Sequence, residues 1–336
     1  MKYCVYKTRF INEKLKKAWK DLENTDGTTP FLYFNFMKYV VLQSRFLSFN
    51  IPIFYYIENQ RGDIVMIAPM KKNIFSGKID TLGNLGFCDF TDFLYSHKLS
   101  WEERKECVLS LKSFIGKPFF LSRLYGDSET LQYLSGQFEI LSTGEAVNIE
   151  LSSDYETHFK SLSKSVRQNI RTAYNRLAKN EKSFLFHFFI GANNIPSTVK
   201  TETKRCYLER QLDKYSNGLS FIRRLKHKLI VSVLRHDNYS LYKNENAINA
   251  SLYIDGKIAA FFAGFLNKKG DRIVIPRLAV DSSFKFFSPG YILLCESIKY
   301  LIDNSNVRNL DLCLGSEKYK TDMGGHKYGT ITIKVN

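Results

Sequence analysis

The sequence predicts an α/β (α+β) protein in which two mixed-sheet domains follow one another along the chain. Its 336 residues exceed what one typical hydrophobic core serves. The stretches IPIFYYIENQRGDIVMIAPMKK and INASLYIDGKIAAFFAGFLNKK share one pattern, in which two strands flank a polar turn with glycine. The regular βαβ alternation of a doubly wound sheet is missing. We therefore expect an N-terminal domain at residues 1–150 and a C-terminal domain at residues 151–336.

The N-terminal half is predicted to contain loosely segregated helices and strands. Apolar residues at helical spacing indicate helices at Ile11–Glu23, Phe34–Leu47 and Trp101–Ile115. Strands are indicated within Ile51–Lys72, in the stretch DTLGNLGFCDFTDFLY, at Pro118–Leu124 and at Glu139–Leu151.

The C-terminal half begins with a capped helix at Ser152-Ser153-Asp154 that continues through SLSKSVRQNIRTAYNRL. Further helices are predicted at Val199–Tyr215, Leu219–Asp237 and Ser288–Ile302. Strands are predicted at Tyr239–Lys243, at Ala247–Leu266 with a turn at Asp255-Gly256, at Arg272–Val280 and at Val307–Leu314.

Composition narrows the function classes. The 49 Lys and Arg against 33 Asp and Glu give a net charge of +16, which suits nucleic acid, an anionic membrane surface or a phosphorylated small molecule, or which serves solubility alone. No apolar run reaches the about 18 residues that span a bilayer, and the N-terminus lacks a secretory signal. The six cysteines have no zinc-binding spacing, so we predict no metal and reduced thiols in a cytoplasmic protein.

The helix through SLSKSVRQNIRTAYNRL has an apolar face and a strongly basic one. Its apolar positions are Leu162, Val166, Ile170, Ala173 and Leu177. On the basic face, Arg167 and Arg171 lie one turn apart and can contact the same ligand. Such a row can bind the diphosphate of a nucleotide-sugar or the phosphates of tRNA, or it can be a solvated face.

The stretch Ser288-Pro289-Gly290 marks a helix start that follows a strand and a loop. Serine is a favoured N-cap, and proline suits the first helical turn because the missing N–H would have no partner there. Gly290 lets a ligand approach the backbone, where free N–H groups and the helix dipole favour an anion such as a pyrophosphate. The alternative is a well-capped helix that binds nothing.

Four segments together resemble a known family. They are the helix SLSKSVRQNIRTAYNRL, the hairpin LYIDGKIAAFFAGF, the block FFSPGYILLCESIKYL and the closing stretch LDLCLGSEKYKTDMGG. Their order resembles the CelD/BcsL-like (BioF2-like) branch of the GNAT acyltransferases, which is related in plan to the FemABX aminoacyltransferases. The resemblance extends from about residue 10 to residue 325. Many GNAT proteins carry the loop Q/R-x-x-G-x-G/A, and here only Lys285, Ser288 and Gly290 occupy comparable places.

The resemblance implies tandem GNAT-like domains, of which the C-terminal one binds acyl-CoA, most simply acetyl-CoA. It places this donor between the diverging strands Arg272–Val280 and Val307–Leu314. The implied donor-binding residues are Arg277, Leu278, Val280, Lys285, Ser288 and Gly290. Arg167, Arg171 and Lys320 are predicted to bind the acceptor.

The same resemblance places Glu317, Tyr319 and Asp281 beside the reacting thioester. Acyl transfer to an amine needs a base for the amine and an acid for the leaving thiolate. Glu317 is the predicted base, although an ion pair with Lys318 or Lys320 is its structural alternative. Tyr319 is the candidate acid, or it covers the core.

We therefore expect an N-acyltransferase that moves an acyl group from acyl-CoA to an amino sugar or nucleotide-sugar in surface polysaccharide biosynthesis. The first alternative is a FemABX-like enzyme that transfers an amino acid from tRNA to a cell-wall precursor. The second is a basic nucleic-acid-binding module, which only the charge supports.

Overall fold

A computed structural model of the chain describes residues 2–47, 49–83, 88–216, 241–242 and 244–336. The chain divides into two compact units, of which the first comprises residues 1–145 with 328–336 and the second comprises residues 146–327. The predicted helix Leu219–Asp237 and most of the predicted strand Tyr239–Lys243 lie outside the described residues.

The first unit consists of a mixed sheet and several helices. Its strands are β1 (Tyr3–Thr8), β2 (Asn50–Asn59), β3 (Ile64–Asn73), β4 (Ile79–Thr81), β5 (Leu94–Tyr95), β6 (Phe119–Tyr125) and β7 (Phe138–Glu150), the last of which continues into the second unit. Its helices are α1 (Glu13–Leu22), α2 (Phe34–Leu47), α3 (Trp101–Ile115) and α4 (Glu129–Tyr133).

The second unit contains the elements that resemble a donor-binding core. Its helices are α5 (Tyr155–Ser161), α6 (Lys164–Lys179), α7 (Ser197–Ser216), α8 (Pro289–Asn304) and α9 (Lys318–Asp322). Its strands are β8 (Phe184–Ile190), β9 (Ala247–Ile254), β10 (Lys257–Leu266), β11 (Arg272–Val280) and β12 (Asn309–Leu314). The last strand, β13 (Gly325–Val335), returns to the first unit.

The two units have sheets of the same strand order. In the first the order is β1-β2-β3-β4-β6-β13, with β5 paired to β3, and in the second it is β8-β9-β10-β11-β12-β7. Each sheet has one parallel pair at the same place, β4 with β6 and β11 with β12, while the other recorded pairs are antiparallel. A helix joins each parallel pair, α3 in the first unit and α8 in the second. The predicted common plan is therefore present in the topology.

The core of the second unit lies between one face of its sheet and helices α6 and α8. Even-numbered residues of β9, from Ile248 to Ile254, belong to this buried cluster together with the apolar face of α6. The phenol of Tyr253 instead donates to Glu202 of α7 at 2.6 Å. Because successive strand residues face opposite sides of a sheet, α7 covers the other face.

Several features differ from the expected elements. The predicted single helix after Asp154 is two helices, because Leu162 is extended and the Ser163 side chain accepts from the Val166 N–H, which begins α6. Strands β1, β8 and β13 and the short helices α4 and α9 are additions to the predicted elements. Residues 328–336 were expected with the C-terminal domain, whereas they pair with β6 in the first unit. Within the described residues, no helix has both the length and the apolar character needed to cross a membrane.

Candidate active site

Strands β11 and β12 run side by side for only part of their length. The recorded pairs are Arg272 with Asn309, Ile273 with Leu310 and Val274 with Asp311. Beyond Val274, strand β11 continues to Val280 with pairing recorded to β10 alone. Pro276 falls in this segment and has no N–H to donate to a neighbouring strand. The two strands therefore diverge toward their C-terminal ends, as the resemblance implied.

A bulge in β10 accompanies this divergence. The register with β11 shifts between Ala263 and Phe265, and Gly264 lies at the shift. A Cβ atom on Gly264 would be 2.0 Å from the Val274 carbonyl oxygen, so only glycine fits there. The bulge thus lies beside the last residue of β11 that pairs with β12.

The C-terminal end of β12 is also irregular. Its register with β7 shifts between Asp311 and Leu314, and Cys313 has a φ of 57°. The buried Asp311 carboxylate accepts from the Cys313 N–H at 2.8 Å, which supports this conformation. Asp311 therefore helps to hold the end of β12 in this conformation.

Lys320 is buried beneath this strand end, with only 3% of its surface exposed. Its Nζ donates to the carbonyl oxygens of Leu312 at 2.9 Å, Cys313 at 3.3 Å, Leu314 at 2.8 Å and Gly315 at 3.0 Å. The Glu317 carboxylate lies 3.0 Å from the same Nζ. This position is internal, and it differs from the acceptor-binding position that the sequence predicts for Lys320.

Glu317 stands at the edge of this cluster with its side chain about half exposed to solvent (48%). It precedes α9 without capping that helix through its side chain. A Cβ on Gly315, whose φ is 96°, would lie 2.6 Å from Glu317 Oε2, so the glycine makes room for the carboxylate. The ion pair with Lys320, one of the two alternatives, is present.

Tyr319 packs against the core of the second unit. Burial raises the pKa of its phenol well above the ordinary value, and the negative charge of Glu317 adds to this while Arg210 opposes it. A phenol with such a pKa keeps its proton at neutral pH. Tyr319 is therefore in the protonation state that a general acid needs.

Helix α8 begins without a side-chain cap. Ser288 occupies the N-cap position with φ 51° and ψ 50°, and its side chain accepts no hydrogen bond from the first turn. Pro289 and Gly290 follow, and a Cβ on Gly290 would lie 3.3 Å from Val280 Cγ2 on β11. The predicted helix start is correct, while the predicted capping by the serine hydroxyl is not made.

The corresponding helix of the first unit, α3, begins in the opposite way. Ser100 and Glu103 form a capping box, and Glu102 adds a second carboxylate to the first turn. These groups occupy the free N–H groups of the helix and bring negative charge to its positive end. No acidic residue occurs in the first turn of α8. Of these two helix starts, only α8 is suited to an anion.

The loop before α8 is a 3₁₀ helix at Ser282–Phe287. Asp281 caps it, because its Oδ1 accepts from the N–H of Ser283 at 2.8 Å and from the Ser283 hydroxyl at 2.6 Å. Arg176 of α6 donates to the Phe286 carbonyl at 2.8 Å and lies 4.8 Å from the centre of that ring. Asp281 thus holds the loop, while Lys285 is exposed on it.

A second contact joins α8 to the segment after β12. The Tyr291 hydroxyl donates to Asp322 Oδ2 at 2.8 Å, and Lys318 Nζ lies 2.8 Å from the same carboxylate. Burial and this hydrogen bond raise the pKa of Tyr291 to about 12. The two motifs Ser288-Pro289-Gly290 and Glu317–Lys320 are thereby held near one another, and neither Tyr291 nor Arg176 was among the predicted site residues.

The remaining predicted site residues lie on two elements, β11 and α6. Arg277, Leu278 and Val280 lie in the part of β11 beyond its pairing with β12. The Arg277 guanidinium donates to the Pro276 carbonyl and lies 5.7 Å from the Tyr207 ring centre. On α6, Arg167 donates to the Lys160 carbonyl at 2.7 Å, and Arg171 lies 5.6 Å from the Phe159 ring. Both of these arginines contact α5.

The described geometry supplies the parts of an acyl-transfer site. Two diverging parallel strands leave an open β-edge, an uncapped helix start offers N–H groups, and a carboxylate and a protonated phenol follow the end of β12. Sequence comparison agrees with this arrangement, because residues 164–321 match the family described as "Acetyltransferase (GNAT) domain". No curated protein matches the chain in sequence.

Solved structures with the same fold extend over nearly the whole chain. The C-terminal domain (DUF2156) of a putative lysylphosphatidylglycerol synthetase from Agrobacterium fabrum has a TM-score of 0.57 at 10% identity, over 96% of this chain and 92% of that one. FemX has a TM-score of 0.59 at 8% identity, over 97% and 96%. L-PGS from Bacillus licheniformis has a TM-score of 0.52 at 12% identity, over 91% of each. Residues 164–321 therefore belong to the acetyltransferase (GNAT) domain family, which supports an acyltransferase, and the fold of the whole chain is similar to that of FemX.

Proposed function

We propose that the protein transfers an acyl group, in the simplest case acetyl, from acyl-CoA to the amine of a sugar or nucleotide-sugar in surface polysaccharide biosynthesis. The observation that carries the proposal is the uncapped start of α8 beside the open edge of β11. A GNAT domain implies an acyl-CoA donor in general. The acetyl group and the amino-sugar acceptor are the parts that we propose beyond this.

The donor fits the second unit in an extended form. The first-turn N–H groups of α8 and the exposed Lys285 would hold the pyrophosphate, because a helix start and a cation both favour negative charge. The pantetheine chain would bond to the backbone of β11 around Leu278, where pairing is recorded on the β10 side alone. The thioester would then reach the end of β12.

Proton transfer would use the side chains that follow β12. The acceptor amine attacks the thioester carbonyl carbon, the carbon–sulfur bond breaks, and the amine proton passes to the Glu317 carboxylate. The leaving thiolate takes a proton from the Tyr319 hydroxyl, whose raised pKa keeps that proton in place beforehand. Asp281 is engaged in the loop, so we give it a supporting role.

The acceptor would be anionic because the chain is strongly basic. Arg171 is exposed on α6 and is the better placed of the two predicted arginines, since Arg167 is half-buried and bonded to a carbonyl. A nucleotide-sugar diphosphate suits such a side chain. Lys320 has no part in acceptor binding in this proposal.

An aminoacyl-tRNA donor is the second candidate. The fold likeness to FemX and to L-PGS favours it, because both share the arrangement over most of the chain. The net charge of +16 suits tRNA as well as a nucleotide-sugar. The two candidates differ in the donor, which an experiment can distinguish directly.

Donor-dependent thermal stabilisation provides that experiment. Acetyl-CoA in excess over its dissociation constant should raise the melting temperature, because a ligand that binds only the folded state stabilises it. Release of free CoA in the presence of amino-sugar acceptors would then identify the substrate. No response to any acyl-CoA, together with salt-sensitive binding of tRNA, would reject the first candidate in favour of the second.

Variants at the strand end test the assigned roles. Glu317→Gln should lower kcat by about 100-fold or more while donor-induced stabilisation stays as in the wild type, since general-base catalysis contributes on that scale. Tyr319→Phe keeps the ring and removes the proton donor, so it should also lower kcat. An unchanged kcat for Glu317→Gln would remove Glu317 from the mechanism.

A further inference from the structure

A turn in the first unit exposes three large apolar side chains together. Phe75 is 76% exposed, Phe49 is 66% exposed and Ile74 is 51% exposed. Phe49 precedes β2 and Ile74 follows β3, where the Ile74 N–H donates to the Phe49 carbonyl at 2.9 Å. Scattered exposed apolar residues are ordinary, but a contiguous group on one turn is typical of an interaction surface.

The turn is held in one conformation by hydrogen bonds. The Asn73 side-chain oxygen accepts from the N–H groups of Phe75 at 3.1 Å and Ser76 at 2.9 Å. The Gly77 N–H donates to the Asn73 carbonyl at 3.0 Å. The rings of Phe49 and Phe75 lie 5.0 Å apart at an interplanar angle of 68°. The apolar tip is therefore preformed, and its exposure is built into the turn.

Lysines surround the same turn. Lys117 Nζ donates to the Gly77 carbonyl at 3.3 Å, and Lys72 Cε lies 4.0 Å from the position of a Cβ on Gly77. Lys78 follows Gly77 directly and pairs with Asp80 at 3.9 Å. Asp80 is buried, and Lys72 and Lys117 have no acidic partner in the part of the chain that the structure describes. The tip is apolar and its rim is positive.

We propose that this docking turn, Phe49 with Asn73–Lys78, binds the protein to an anionic membrane surface. The two phenylalanines and Ile74 would enter the boundary between headgroups and acyl chains, while Lys72 and Lys117 would reach anionic headgroups. This would place the enzyme beside lipid-linked molecules. The surface lies wholly in the first unit and does not depend on the proposed donor or acceptor.

The charges and rings favour a membrane over the other occupants. A second copy bound about a two-fold axis would set the same lysines against one another, which is unfavourable. Single-stranded nucleic acid stacks its bases on flat aromatic platforms, whereas these two rings meet edge to face and Ile74 offers no ring. A convex apolar tip with a lysine rim matches a lipid interface.

Vesicle binding of the full chain tests the proposal. The wild type should bind phosphatidylcholine vesicles that contain phosphatidylglycerol. It should not bind vesicles made of phosphatidylcholine only. The double variant Phe49→Ser with Phe75→Ser should bind at least about tenfold more weakly, because the inserted apolar area is lost. Lys117→Gln should weaken binding by about fivefold. Leu185→Ser, which removes a leucine that is 56% exposed on β8 of the second unit, should have no effect.

A local readout separates docking from general attraction by net charge. In a Phe75→Trp variant the added indole should shift its emission to shorter wavelength on anionic vesicles, and in a Leu185→Trp variant it should not. The proposal would be overturned if the wild type did not bind the anionic vesicles. It would also be overturned if the double variant kept its melting temperature and bound them as tightly as the wild type. The proposal would also be overturned if the wild type formed dimers or RNA complexes and did not bind vesicles, and if the double variant no longer formed those complexes.

Discussion

Lys320 shows how one buried cation can shape a reaction site. Its Nζ donates hydrogen bonds to four consecutive carbonyl oxygens at the end of β12 and forms an ion pair with the Glu317 carboxylate. A strand end that turns its carbonyls toward one point needs a donor there, since buried carbonyls without partners are costly. The ammonium therefore fixes the path of Gly315 and, through the ion pair, the direction in which Glu317 points.

Replacing this lysine tests that role. Lys320→Met keeps the length of the side chain and removes the ammonium, so the free energy of unfolding should fall by about 2–4 kcal/mol. Urea denaturation of the purified variant measures the loss. Lys299→Met removes an exposed lysine from α8 and should change the free energy by no more than about 0.5 kcal/mol. Equal stability of the two variants would show that the carbonyl cluster contributes nothing.

The position of Lys320 also shows where the sequence stops being informative. The stretch Ser316–Lys320 has the composition of a polar loop, and its lysine was predicted to bind the acceptor. Whether a lysine is buried depends on which backbone groups converge on it, and that convergence comes from the bulged end of β12. Glu317 was predictable as an ion-pair partner of Lys320 because the two are one helical turn apart. The carbonyl cluster was not.

At the scale of elements, local sequence patterns predicted where helices begin, but they did not predict which distant strands pair. Pro289 and Gly290 mark the start of α8, and the apolar spacing of Val166, Ile170 and Ala173 gives the buried face of α6. The break at Ser163 was missed because the apolar pattern runs through it. The pairing of β13 with β6 joins Thr330 to Tyr125, a contact that no local pattern contains. Long-range pairing comes from the sheet as a whole.

The uncapped start of α8 yields the prediction for this scale. Gly290→Asp would give α8 the negative first turn that α3 already has, which stabilises a helix but repels a bound anion. We expect the dissociation constant of acyl-CoA to rise at least about tenfold, with the melting temperature unchanged or higher. Isothermal titration and thermal unfolding measure the two quantities.

The matched control is Gly290→Asn. It adds a side chain of the same size and the same Cβ, 3.3 Å from Val280 Cγ2, without the charge. If asparagine weakened donor binding as much as aspartate, the effect would be steric and the helix start would have no electrostatic role. A large difference between the two variants supports the pyrophosphate at α8.

At the scale of the whole molecule, two sheets of one plan differ at the helix that joins their parallel strands. The first unit has the parallel pair and its joining helix, but a capping box closes the helix start. The second unit keeps the helix start open and has a bulge at Gly264, while its irregular residue Cys313 has a counterpart in Arg123 of β6, whose φ is 59°. In our two proposals the second unit carries the reaction site and the first unit carries the docking turn.

Buried thiols in both units connect global stability to pH. All six cysteines are free, and Cys4 is the exposed one. Burial raises the pKa of Cys107 in the first unit, and of Cys206 and Cys295 in the second, from 9.0 to about 12. A thiol reagent at pH 8 should therefore modify one cysteine of the native protein quickly and all six only after denaturation.

The same pKa values predict alkaline unfolding. The folded state holds these protons more tightly than the unfolded chain, so their contribution to stability is complete below about pH 9 and is lost as pH rises toward about 12. Each thiol can lower the free energy of unfolding by up to about 1.4 kcal/mol per pH unit in that range. Urea denaturation between pH 8 and pH 11 measures the slope. Cys206→Val should make the slope shallower and Cys4→Val should leave it unchanged, whereas equal slopes in all three proteins would contradict a role for the buried thiols.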